Sequence, residues 1–91
     1  MSNDPLPPQP LVAVLEEVQQ EVLTAEAKWP PINSAHEGYA VLLEEVDELK
    51  EHVWTNQKQR DPSAMRKEAI QVAAMAVRFI RDVCDGGKER T

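Results

Sequence analysis

The sequence predicts an all-α fold: three main helices per chain, forming an antiparallel helical bundle that is completed by oligomerisation. Three observations predict it. Apolar residues recur at helical spacing in three separate stretches, with no strand-like alternation between them. Six of the seven prolines lie before residue 32, which leaves the middle and C-terminal half open to helix. Only Trp29, Tyr39, Trp54 and Phe79 are aromatic although 42% of the 91 residues are hydrophobic, so the core must be built from aliphatic side chains.

Residues 1–9 carry Pro5, Pro7 and Pro8 and read as an extended, frayed arm. A first helix is expected from near Pro10, because proline suits a first helical turn. Leu11, Val14, Leu15, Val18, Val22 and Leu23 mark its apolar face. Pro30 and Pro31 end it, since a residue before proline avoids the helical region. Ser34 and Glu37 have the spacing of a capping box and start a second helix. Tyr39, Leu42, Val46, Leu49 and Val53 form its expected core stripe, and it should run to about Gln57. Asp61-Pro62 starts a third helix, with aspartate as the cap and proline at the first helical position. It should run to about Asp85, where Gly86 and Gly87 supply a stop. The helical domain is thus expected over residues 10–86, with 87–91 as a tail.

The third helix carries the argument for oligomerisation. From Ala69 to Ile80 only Gln71 and Arg78 are polar. A helix apolar nearly all round must be covered on most sides. Two partner helices of so short a chain do not suffice, so a second subunit is expected to supply the rest.

A net charge of −6 speaks against nucleic-acid binding through a basic face. Cys84, the one cysteine, forms no internal disulfide and fits a reducing, cytoplasmic setting with a core-packing role. Residues 1–10 are polar and proline-rich, unlike a signal peptide, and no apolar run reaches the roughly 20 residues a membrane span needs.

The chemistry lies in the acids. Glu44, Glu45, Asp47 and Glu48 crowd five positions, and Glu68 follows twenty residues after Glu48. Like charges at such helical spacings cost roughly 0.2–0.5 kcal/mol each. With Glu44 as the origin, Glu48 falls at about 40°, Glu45 at about 100° and Asp47 at about −60° around the helix, at about 100° per residue. Glu44, Glu45 and Glu48 therefore share a patch, and Asp47 drops out. A solvated acidic face is the plain reading of such a patch. Two features favour a site: Val41 shares the sector, and Glu68 with Gln71 begins the apolar helix. In an antiparallel hairpin turning near residues 58–61, Glu48 is level with Glu68 and Glu45 with Gln71. The four can face one another across a groove, and oxygen-only ligands suit Mg²⁺ or Mn²⁺ rather than zinc.

Glu44-Glu45-Val46-Asp47-Glu48-Leu49 followed by Glu68-Ala69-Ile70-Gln71 resembles the MazG-like family of all-α nucleoside triphosphate pyrophosphohydrolases, of the phage and bacterial type. Its pattern is Glu-x-x-Glu, a gap of some twenty residues, then Glu-x-x-Asp. The similarity extends from His36 to Val83, about half the chain. The resemblance implies a homo-oligomer, dimer or tetramer, that cleaves a nucleoside triphosphate to a monophosphate and pyrophosphate with Mg²⁺. It implies Glu45, Glu48 and Glu68 as metal ligands, Gln71 as a weaker fourth, and Glu44 as the catalytic group that orients or deprotonates water. Gln71 stands where the pattern has aspartate, and glutamine brings one carbonyl oxygen but no charge.

Further candidates are Arg78, Lys50 and Trp29 for substrate. Arg78 needs an acidic partner inside an apolar helix, a phosphate or Asp82. Lys50 or Lys28 could reach phosphates, and Trp29 or Trp54 could stack on a base, although solvation and packing are the ordinary roles of such residues. The alternative to an enzyme is a non-catalytic helical module that binds nucleotide or protein with a degenerate metal site.

Overall fold

A computed structural model describes residues 4–85, which are all-α with three long helices and no strand among them. Helix α1 spans Leu11–Lys28, α2 spans Ala35–Val53 and α3 spans Pro62–Phe79. Asp4–Pro10 precede them without regular structure and are exposed. None of the helices is long and apolar enough to cross a membrane.

The ends follow local chemistry. The Pro10 carbonyl accepts from the N–H groups of Ala13 and Val14 at 3.0 and 3.3 Å and opens α1. Trp29, ahead of Pro30, is extended and closes it. Ser34 Oγ accepts from Glu37 N–H at 3.1 Å, which caps α2. The Glu37 carboxylate turns instead to Asn33 Nδ2, 3.2 Å away. Asp61 Oδ1 accepts from the N–H groups of Ser63 and Ala64 at 3.0 and 3.4 Å, with Pro62 in the first position of α3.

Two ends differ from the sequence reading. Helix α2 stops at Val53 rather than near Gln57. Arg60 Nε captures the Val53 carbonyl at 2.8 Å, and Asn56 caps a separate 3₁₀ turn over Gln57–Gln59. Helix α3 gives way after Phe79 to a π-helical turn over Ile80–Cys84, closed by Asp85 N–H on the Ile80 carbonyl at 2.8 Å. The wider turn accompanies a buried Asp82, whose Oδ2 accepts from Ile32 N–H at 2.9 Å. Cys84 is exposed, not part of the core as expected, because it ends this turn. The expected Gly86-Gly87 stop and the tail lie outside the described residues.

Helix α3 packs against both other helices. Along α1 and α3 the pairs Glu17–Arg66, Glu21–Gln71 and Glu26–Arg81 advance together, so these helices run parallel. Between α2 and α3, Gly38 lies against Phe79 while Glu45 and Glu48 lie beside Glu68, so these run antiparallel.

The face that α2 buries is the main surprise. The expected stripe included Tyr39 and Val46, yet both are exposed, as is Leu43. Gly38 is buried, and Leu42, Glu45, Leu49 and His52 are half-buried. The inner face is therefore turned by about 60° from the one the apolar pattern suggested, at about 100° per residue. Gly38 explains the turn. A Cβ there would sit 2.6 and 2.9 Å from the Phe79 ring and 3.1 Å from Ile32 Cγ2. Only glycine lets α2 approach this closely.

The core is thin. Val22, Ile32, Ala74 and Met75 are buried, but among the described residues no large side chain is completely enclosed. Leu11, Val12, Leu15 and Leu23 of α1 remain exposed alongside Tyr39, Leu43 and Val46 of α2.

Gly38→Ala tests the contact. Alanine in a helix interior is favoured over glycine by about 1 kcal/mol. Overpacking a tight site costs about 1–3 kcal/mol. The clash should win, and thermal unfolding should show a lowered midpoint; an unchanged or raised midpoint would show that the Phe79 ring yields freely.

Candidate metal centre and adjoining cleft

The turn of α2 brings Glu45 inward toward α3. One carboxylate oxygen each from Glu45, Glu48 and Glu68 lie within 4.8 Å of one another. Glu45 and Glu68 are half-buried, and Glu48 is exposed. The Glu45 carboxyl is pushed above the ordinary carboxylate range, first by burial and then by the charges of Glu48, Glu68 and Glu44.

No protein cation relieves the cluster among the described residues. The two ion pairs there join Arg66 of α3 and Arg81 of the following π-helical turn to Glu17 and Glu26 of α1. Arg66 holds the Glu17 carboxyl below its ordinary range, chiefly through their hydrogen bond. Arg66 and Arg81 are thus engaged by carboxylates of α1.

Gln71 also has a structural bond. Its Nε2 donates to Glu21 Oε1 at 2.6 Å, a partly buried bond that ties α3 to α1. Glu44 is exposed and lines a cleft with Glu45 and Gln71. That cleft, about 650 Å³, opens between α1 and α2 above α3. Its size is in the range of about 300–1,000 Å³ usual for small-molecule sites. Thr24, Lys28 and Trp29 form one wall, Glu37 and Val41 the other, and Met75 and Arg78 the floor.

Arg78 and Trp29 therefore share the cleft with the acids, whereas Lys50 does not line it. The Lys50 ammonium lies 4.4 Å from the Trp54 ring centroid, at a separate small hollow with Asp47 and Glu51. Arg78 is buried and donates to the Pro30 carbonyl.

The sequence reading missed Glu21, Thr24 and Glu37 as cleft residues. Glu17 and Glu21 stand one turn apart on the polar flank of α1, and that spacing could have marked them as partners for another helix. Glu37 was absorbed into its capping role. No protein-family model, no curated protein and no solved structure matches this chain.

Two outcomes follow from this geometry. A raised carboxyl pKa in the folded state favours folding at low pH and is a burden once the group ionises. Without divalent cations, stability should fall as pH rises from the ordinary carboxylate range through the raised Glu45 value. Glu45→Gln should lift the melting midpoint of the metal-free protein at neutral pH. It should also abolish the gain from added Mg²⁺, which for a bound ion at a hundred times its dissociation constant is about 2.7 kcal/mol. Equal Mg²⁺ effects on the wild type and Glu45→Gln in melts at pH 7 would remove the cluster from consideration as a cation site.

Gln71→Asp replaces a donor to Glu21 with a second carboxylate. It should destabilise the fold by about 1–3 kcal/mol, the cost of a lost and unsatisfied partly buried bond. Glu21→Gln combined with Gln71→Asp should recover most of that loss in denaturant titrations. A fully stable single variant would show that the Glu21–Gln71 bond contributes nothing.

Proposed function

We propose that this chain is a Mg²⁺-dependent, MazG-like nucleotide pyrophosphohydrolase that acts as a cytoplasmic homo-oligomer and cleaves nucleoside triphosphates to monophosphates and pyrophosphate. The observation that carries this reading is the convergence of Glu45, Glu48 and Glu68 next to a cleft of ligand size. The donor set fits the ion. Three carboxylate oxygens form a hard, anionic site with no ion-paired cation among the described residues, and Mg²⁺ is commonly held by one or two carboxylates with waters and substrate phosphates.

Glu45, Glu48 and Glu68 would hold Mg²⁺, with Mn²⁺ as a substitute. The ion would supply charge neutralisation and orientation for the phosphates. The remaining work falls to the chain. Glu44, exposed on the cleft wall beside Glu45, is the base that orients the attacking water and takes its proton. The cleft floor, lined by Ala74 and Met75, excludes bulk water from one side of the substrate. Gln71 positions α1 against α3 through its Nε2 bond to Glu21, and its amide oxygen would be the weaker fourth ligand.

The bundle is completed by a second copy in this reading. Its support is the thin core together with the exposed row of Tyr39, Leu43 and Val46, which share one face of α2.

A second reading has its own observation. With Gln71 neutral where the resembled pattern has aspartate, the centre gathers three acids among the described residues. Such a site could bind nucleotide and Mg²⁺ without turnover, as a non-catalytic helical module that presents the bound state to a partner.

Purified protein with Mg²⁺ and a panel of nucleoside triphosphates separates the two. Pyrophosphate release is expected from at least one substrate, with activity lowered at least about 100-fold by Glu45→Gln or Glu48→Gln, in line with loss of one stabilising group of the transition state. The active species should sediment as a dimer or larger. Binding without release would select the second reading. Neither binding nor release at millimolar nucleotide would end both.

A further inference from the structure

The end of the cleft away from the carboxylates carries an unusual group. Arg78 is only 7% exposed, and its Nε is a buried atom without an acceptor among the described residues. Its Nη2 donates to the Pro30 carbonyl at 3.2 Å, and its Nη1 has the thioether sulfur of Met75 at 3.9 Å. A guanidinium has five N–H donors, and sulfur is a weak acceptor. These contacts use little of that capacity. A buried cationic donor left short of acceptors is costly, and a ligand that supplies them recovers the cost on binding.

Trp29 stands at the same end, 55% exposed and lining the cleft with Arg78 and Glu37. Arg78 lies ten residues along α3 from Glu68, an axial separation of about 15 Å at 1.5 Å per residue. Phosphates held at the carboxylates would not span that distance, but a whole nucleotide would place its base there.

We propose that this end of the cleft selects a 6-oxopurine base, guanine or hypoxanthine, with Arg78 donating to the adjacent O6 and N7 acceptors and Trp29 stacking on the ring. The inference rests on the nucleotide reading above and deepens it. Arginine is a donor-only fork that matches two neighbouring acceptors. Adenine sets an amino donor beside N7, so one arm of the fork would meet a donor. Pyrimidines lack the paired acceptors of this edge. Seating the base on the fork made by Nε–H and one N–H of Nη2 gives the orphaned Nε its acceptor and leaves the other N–H of Nη2 for the Pro30 carbonyl. Glu37, on the facing wall, is an acceptor for the N1–H that distinguishes the 6-oxopurines from adenine.

The test is calorimetric binding to the full chain with Mg²⁺, using α,β-imido analogues of dGTP, dITP, dATP, dCTP and dTTP so that no cleavage intervenes. The two 6-oxopurines should bind about tenfold or more tighter than the others, the discrimination expected of a bidentate arginine. The 7-deaza form of the dGTP analogue, which lacks N7, should lose about tenfold. Arg78→Lys should bring the five analogues to similar affinities while the Mg²⁺ gain in melting is retained. Equal binding of all bases by the wild type, or undiminished binding of the 7-deaza compound, would overturn the proposal and leave the nucleotide reading standing. No binding of any analogue would overturn both. Should Arg78→Lys fail to fold, the 7-deaza comparison on the wild type decides alone.

Discussion

The close contact between Gly38 and the Phe79 ring fixes how α2 faces α3, and much else depends on it. Gly38, Glu45 and His52 follow one another at intervals of seven, so they share one side of α2. Once Gly38 is pressed against α3, Glu45 must follow it inward. The same rotation that permits tight packing at one end thus forces a carboxylate toward the interior two turns later. Burial and three neighbouring acids then push its carboxyl pKa upward. A glycine chosen for space and an acid held against its electrostatic preference are two consequences of one helix orientation.

The rotation also decides what is left outside. Tyr39, Leu43 and Val46 would satisfy an ordinary core stripe, but they lie on the face turned away from α3. Hydrophobic periodicity showed that α2 is a helix and that apolar residues cluster on it. It did not show which apolar residues meet α3, because it weighs side-chain polarity and ignores the missing side chain at Gly38. The ends of the helices were legible for a different reason. Ser34, Asp61, Pro30 and Pro62 act through bonds and clashes within a few residues, so their effect can be read locally. The early stop of α2 was not legible, since Arg60 reaches back seven residues to take the Val53 carbonyl. Nor was the π-helical turn, which accompanies the bond from Ile32 to Asp82, fifty residues apart.

For the candidate centre, the hairpin register was enough to bring Glu45, Glu48 and Glu68 together. Register alone could not place Gln71, whose fate depends on α1. The apolar pattern marks one face of α1 and is silent on where its acids go. In the fold, three of its acids form a polar seam with α3 and the π-helical turn after it: Glu17 with Arg66, Glu21 with Gln71 and Glu26 with Arg81. This seam is why Gln71 sits at the boundary between structure and site. Its amide nitrogen serves the packing of α1 while its side chain still lines the cleft.

The seam also bears on the electrostatics of the acids opposite. Arg66 of α3 and Arg81 of the π-helical turn that follows it are both drawn to α1 by carboxylates. The side of α3 that meets α2 near the cluster presents Glu68 in their place. Charge is therefore divided across α3, compensated on one side and accumulated on the other. A net charge of −6 makes this division costlier than it would be in a basic chain, because no surplus of lysine or arginine is at hand to relax it. Solvent can screen Glu48, which is exposed, but it screens the half-buried Glu45 and Glu68 less well. The same acids on a fully solvated helix face would repel one another weakly and need no counter-ion. Partial burial with no ion-paired base among the described residues is what sets these acids apart from a fully solvated surface.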